Sequence, residues 1–378
     1  MALRHHFGRR ASAALLSLLL AACGHRDSAA AQGPYASEVA DAIPKIEKAT
    51  GLKYKRPPVV QRKSKEEVRQ FLLKQFEDER SQEDLTAQAV LLRRLGLVSD
   101  TFNLRQTMLD LYTEQIVGFY DPETKVLYVV DGAKPEEVGF VIEHELVHAL
   151  QDQYTNLDSL LHIKGDDDRV LAAQSVMEGQ ATLVPLQTML GPAAQLPGGW
   201  DKVRELIREN QSSMPKFAAA PQVLQETLIF PYLSGAEFMR RFDDQEPGKM
   251  PFGAAMPVSS TQILHVDAYF GSHPDRPVSI TLPAPHGATS SYQNDMGEFE
   301  TRLFLFHHLQ DQNESIQAAA GWSGDRYAIL HSPRGEGIAW VTVWRSAVDA
   351  VEFSTAGHKV IDARSTKDKA LDSRAVTR

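Results

Sequence analysis

Two histidines four residues apart constrain this chain more than any other feature of it. In His144-Glu145-Leu146-Val147-His148 the spacing has geometric meaning only on a helix. There, positions four apart lie about 40° apart around the axis and ~6 Å along it, so two imidazoles can meet one cation. The flanking residues agree with a helix. Val138, Val141, Ile142, Ala149 and Leu150 supply an apolar face that needs burial. Pro135 followed by Glu136 and Glu137 is the chemistry of a helix N-terminus, so the helix is expected from Pro135 to about Tyr154. With 13 His and 24 Glu in 378 residues, a shuffled chain would hold roughly 0.03 such matches. Composition alone does not produce the pattern.

Glu145 sits ~100° from His144, at the edge of the imidazole face. It can reach a water beside the metal without filling a metal position, the placing of a general base. Catalytic zinc takes three protein ligands and keeps a fourth place open, where the pKa of water falls to about 7. A third ligand is therefore required. The metzincin arrangement, with a histidine six residues beyond the second, is excluded because that position is Tyr154. In Val176-Met177-Glu178-Gly179-Gln180-Ala181, a lone carboxylate stands in an otherwise apolar helical pattern, where a charge needs a partner. Glu178 is the expected ligand. His162 and the Asp166-Asp167-Asp168 run compete with it, but read better as a solvated loop and a helix N-cap.

These residues resemble the gluzincin metallopeptidases, thermolysin-like zincins with H-E-x-x-H on one helix and a ligand Glu on the next. The resemblance implies Zn2+ held by His144, His148 and Glu178, with Glu145 as general base. The family pattern has Asp four residues after the ligand Glu, where this chain has Thr182. Asp152, four after His148, is the expected substitute that accepts an imidazole N–H. The chain also resembles a group of bacterial envelope proteins assigned to the same clan, over most of residues 60 to 345. The matching stretches are Gly118-Phe119-Tyr120-Asp121, the run from His144 to Gln153, Glu178-Gly179, Pro231-Tyr232-Leu233-Ser234-Gly235, Ile263-Leu264-His265 and Gly321-Trp322-Ser323-Gly324-Asp325-Arg326-Tyr327. Gluzincin aminopeptidases carry a G-x-M-E-N sequence upstream of the zinc helix, and none is found here, which favours an endopeptidase. Tyr232 and His265 are candidate donors to an oxyanion. A peptide or protein substrate would add by β-pairing to a strand edge, for which Val126 to Val130 is the candidate. The alternative from another class is a non-catalytic envelope binding or assembly protein that retains a zinc site; an intact Glu145 argues against it.

The expected organisation follows from composition along the chain. Residues 1–22 carry Arg4, Arg9 and Arg10 and then a short apolar run, the order of a secretory signal. The run is too short for a ~30 Å bilayer. Leu20-Ala21-Ala22-Cys23 resembles the lipobox of bacterial lipoproteins, which makes Cys23, the one cysteine in the chain, a lipidation site and places the protein on the cell envelope. Residues 23–37 read as a flexible tether, 38–115 as a helix-rich region, 116–357 as the metallopeptidase domain and 358–378 as a loose tail. Within the domain, β-rich runs at 116–120 and 126–130 flank Asp121-Pro122-Glu123-Thr124-Lys125, the signature of a hairpin before the key helix. Further helices are expected at 168–186, 226–241 and 296–309, and late strands near 327–331 and 338–344. Asp325 and Arg326 are expected to pair. The fold class is α+β, mostly helical and zincin-like, with a small sheet before the H-E-x-x-H helix. A net charge of −9, which becomes −12 without the three arginines of residues 1–22, disfavours nucleic acid as a partner.

Overall fold

The computed structural model describes residues 33–77, 79–133, 135–190 and 199–367. The first helix, α1 (Ala36–Thr50), is followed by a five-residue strand, β1 (Val59–Lys63). Three helices come next: α2 (Lys65–Glu77), α3 (Glu79–Arg94) and α4 (Leu104–Gln115), the last capped by the Asn103 side chain accepting from Gln106 N–H. Then come β2 (Gly118–Asp121) and β3 (Val126–Val130), joined as the sequence predicts by a hairpin. In its turn Asp121 accepts from Glu123 N–H and Thr124 Oγ1–H, and Lys125 takes the left-handed backbone conformation at φ 61°.

The sheet order is β1-β3-β2, with β1 parallel and β2 antiparallel to β3. Two expectations fall here. Val126–Val130 is the central strand, buried along its whole length, so it offers no free edge; β1 and β2 hold the edges. The boundary between 115 and 116 is likewise no structural break, because β1 from the N-terminal stretch completes the sheet. Val39, Ala42 and Ile46 of α1 also share one core with Leu127 and Val129 and with Ile142, Leu146 and Val147 of the next helix. A merged core of this kind joins segments that are remote in sequence.

That next helix is α5 (Pro135–Gln151), which carries both histidines. It lies against β2, and Gly118 makes the approach possible. A Cβ there would stand 2.7 Å from Val141 Cγ1 and 3.0 Å from Tyr128 O. A strap from the α1–β1 connection closes over the far end of α5. Tyr54 Oη donates to Leu146 O at 2.7 Å, and Gln153 Oε1 accepts from the N–H groups of Lys55 and Arg56.

Beyond α6 (Leu157–Leu161) runs α7 (Asp167–Leu190), then α8 (Gly199–Ser212), α9 (Pro215–Ala219) and α10 (Gln222–Gln245). α7 and α10 cross at near backbone contact, because the crossing point has no side chains. A Cβ on Gly179 would lie 2.7 Å from Ala236 N, and one on Gly235 would lie 2.8 Å from the Ser175 carbonyl carbon. The remaining elements are α11 (Ser260–Leu264), α12 (Val266–Phe270), β4 (Thr289–Asn294), α13 (Gly297–Leu309), α14 (Gln312–Ala319), β5 (Trp322–Ser332), β6 (Gly335–Trp344) and α15 (Ala347–Lys367). β4, β5 and β6 form an antiparallel sheet in that order. The main core joins this C-terminal part to α7 and α10, as Leu171, Val176, Phe230, Phe299 and Tyr327 belong to one cluster. Buried Asp168 accepts from Ser260 N–H. Asp325 does not pair with Arg326; it accepts from Met296 N–H, Gly297 N–H and the indoles of Trp322 and Trp340.

The class is α+β, with helix predominant and two small three-stranded sheets. Residues 358–367 are helix rather than loose tail. Ala356 and Val360 are one turn apart and fully buried, and Lys359 bonds Glu314, so that turn is anchored on both sides. Cys23, the residues before it, the tether up to residue 32 and the tail from 368 lie outside the described residues. Ala36 and Ser37, assigned to the tether, already belong to α1. Among the described residues no helix is long and apolar enough to cross a membrane.

Candidate metal centre

α5 and α7 pack side by side, and their facing side chains bring three donor atoms together. His144 Nε2 and His148 Nε2 are 3.2 Å apart. Glu178 Oε2, from α7, is 3.2 Å from the first and 3.4 Å from the second. Among the described residues this is the one group of three or more His, Cys, Asp or Glu donors with metal-holding geometry. The distances can be tested against a tetrahedral ion: bonds of 2.0–2.2 Å require donors about 3.3–3.6 Å apart. The observed triangle falls within about 0.1 Å of that range, so the residues fit. The imidazoles are 12% exposed and Glu178 26%, so the cluster is sunk yet reachable from one side.

The hydrogen bonds behind His148 fix which of its nitrogens carries a proton. Fully buried Gln151 places Nε2 3.0 Å from Met177 O, which can only accept, and 2.9 Å from Gln180 Oε1. Its Oε1 therefore faces His148 Nδ1, at 2.9 Å. Since Oε1 can only accept, Nδ1 must bear hydrogen, and Nε2 is the nitrogen left for a cation. Without metal a proton takes that place. Burial presses the His148 pKa down, but Glu178, with Glu145 and Gln151, more than offsets it and brings the pKa to about 9. The same pairing holds Glu178 well below the usual carboxylate range in spite of its burial.

Glu145, one residue beyond His144, turns toward β2, where its Oε2 accepts from Tyr120 N–H at 2.7 Å. His144 is stacked between Phe140 and Tyr232, with ring centroids 6.3 and 6.1 Å away. The negative charge of Glu178, followed by burial, raises the Tyr232 pKa strongly. Tyr232 thus stands beside His144. Burial and the same glutamate raise the pKa of Tyr112, from α4.

Two residues do not take the roles the sequence suggested. Asp152 does not accept from His148. α5 ends at Gln151, and beyond that point helical spacing no longer directs the side chain; Asp152 instead bonds Tyr120 Oη and Lys125 Nζ, both at 2.7 Å. Gln151, three residues after His148, holds the imidazole. His265 is engaged elsewhere, with its Nε2 2.7 Å from the fully buried Glu298, whose carboxylate also binds Arg302. Of the competing ligands, His162 is exposed beside Asp158, Asp166 accepts from Arg169 N–H at the start of α7, and Asp168 accepts from Ser260 N–H. Thr182 Oγ1 is buried with no hydrogen-bond partner, so it does not replace the family's aspartate. Gln151, Tyr120, Phe140 and Tyr112 were not anticipated. Helical spacing from His148 and His144 could have found Gln151 and Phe140; nothing local could have found Tyr120 or Tyr112.

Residues 286–377 match a family described as a domain of unknown function, DUF8575. The match takes in β4 to α15 and leaves out the cluster of His144, His148 and Glu178. No curated protein and no solved structure matches the chain.

Proposed function

We propose that this chain is a zinc-dependent peptidase of the gluzincin kind, with a zincin-like pairing of α5 and α7. The observation that carries the reading is the triangle of His144 Nε2, His148 Nε2 and Glu178 Oε2, with edges of 3.2–3.4 Å. These three residues would hold the ion. Zinc would supply Lewis acidity there, polarising a carbonyl and making water acidic enough to lose a proton near neutral pH. Glu145 does the proton work in this reading. Tyr120 N–H holds its Oε2, which leaves Oε1 to take a proton from the attacking water and pass it to the departing amine. The Tyr232 hydroxyl, a donor at high pKa, is placed to steady negative charge on the substrate oxygen. Gln151 keeps the His148 imidazole in one tautomer throughout.

The substrate is a peptide or protein cut internally, and Cys23 would tether the enzyme to the envelope by lipid. Replacing Glu145 with Gln tests the reading, since Gln can still accept from Tyr120 N–H. The variant should bind zinc as the parent does and lose at least ~100-fold in hydrolysis of a peptide picked out by library screening. Equal activity of variant and parent would refute the assignment of the base.

A further inference from the structure

We propose that Tyr120 is the positioning residue for Glu145, setting the carboxylate through its backbone while its side chain is itself held by Asp152. The inference rests on the reading of Glu145 as general base. Tyr120 joins two points of the α5 region. Its N–H donates to Glu145 Oε2 at 2.7 Å, and its hydroxyl donates to Asp152 Oδ2 at 2.7 Å. Glu145 and Asp152 are seven positions apart, about two helical turns, so one strand residue is fixed at both ends along one side of the helix.

The far end of this tie is well determined. The Asp152 side chain is 1% exposed, its Oδ2 is shared by the Tyr120 hydroxyl and Lys125 Nζ, and its Oδ1 is buried without a partner. A buried carboxylate so poorly supplied binds its few donors tightly, because removing either leaves charge uncompensated. Both donors belong to the hairpin, Tyr120 from β2 and Lys125 from its turn. The near end is equally close. Gly118, two residues before Tyr120, has no side chain of its own, so the Val141 side chain of α5 packs directly on the β2 backbone. β2 is also an edge strand, so pairing with β3 holds it on one side alone. The Asp152 bond supplies restraint where a neighbouring strand would otherwise give it.

Tyr120→Phe removes the hydroxyl and leaves ring and backbone in place, so β2 should still pair while Glu145 loses its fixed orientation. In the full-length zinc-loaded protein, zinc content should be unchanged. kcat on the screened peptide should fall ten- to a hundredfold with KM within twofold. Asp152→Asn should follow in the same direction and more weakly, because an amide oxygen still accepts. Amide hydrogen exchange resolved by NMR reads the tie without any substrate: the Tyr120 N–H should exchange about tenfold faster in Tyr120→Phe, with Leu127 on β3 unaffected. Unchanged exchange at position 120 would overturn the proposal. So would an unchanged kcat, or a fall in kcat that came with loss of zinc. If the parent cleaves no peptide at all, the hydrolase reading fails, and the exchange result alone decides whether the tie exists.

Discussion

Gly235→Ala adds one methyl group at the crossing of α7 and α10, and its cost can be worked from the contacts around it. The new Cβ would run into the Ser175 carbonyl oxygen and stand 2.8 Å from the carbonyl carbon and 3.0 Å from its Cα, where carbon atoms normally meet at about 3.5 Å or more. The obstacle is helix backbone, which cannot rotate away, so the helices must separate by about 1 Å or more. Overpacking of this kind costs about 3 kcal/mol. For a fold of roughly 300 residues the entropy of unfolding is ~0.6 kcal/mol per degree, so Tm should fall by about 5 °C. The shift also reaches the site, because Tyr232 precedes Gly235 by three residues and Glu178 precedes Gly179 by one. A shift of α7 away from α10 would carry Glu178 out of its present register with His144 and His148 on α5, and zinc affinity should drop at least tenfold. Gly139→Ala is the control. It lies on the exposed face of α5 with nothing within 4 Å of a built Cβ, so the same change should stabilise by ~0.5–1 kcal/mol and leave zinc binding alone. Calorimetry with chelator competition reads both effects. If Gly235→Ala matched the parent in Tm and affinity, the claim that bare backbone contact sets the helix spacing would fail.

Gln151→Leu should weaken zinc 10- to 100-fold in chelator competition, because His148 Nδ1 loses its acceptor, while Asp152→Asn should leave affinity within twofold. Stability should fall as pH rises from about 5 to 9. Burial, then the charges of Asp167, Asp325 and Asp295, brings Glu300 up to about 8 from 4.5. Burial, with Asp325 and Asp168 beside it, brings Asp295 up to about 9 from 3.8. These carboxyls keep their protons to higher pH when folded, so their contribution is complete below pH ~4 and is lost through their folded pKa values. Glu300→Gln should flatten Tm against pH between about 5 and 8, and an unflattened profile would contradict the assignment.

That His144, His148 and Glu178 meet was legible because helical spacing is local arithmetic. His144 and His148 had to share a face, and Glu178 stood out as a charge among apolar neighbours. The hairpin was legible from its turn residues. Where elements end and what pairs with what were not. Asp152 failed as the partner of His148 because α5 stops one residue earlier, which places Gln151 in that role. β1 has five residues, two of them apolar, too little pattern to announce that it would cover β3 and take its edge away. The last helix hid because Ala356 and Val360 give a narrow apolar stripe that matters only once a core meets it. His265 looked available until Glu298 and Arg302, more than thirty residues away, came to meet it. The glycines at 179 and 235 were visible as residues, but their purpose appears only where two helices touch.

Zinc-edge X-ray absorption on the protein loaded with one equivalent of zinc tests the metal centre most directly. The expected spectrum shows four nitrogen or oxygen neighbours at about 2.0–2.1 Å with outer scattering from two imidazoles, reduced to one in His148→Ala. Six oxygen neighbours without imidazole scattering, or zinc that washes out on desalting, would contradict a site built from His144, His148 and Glu178.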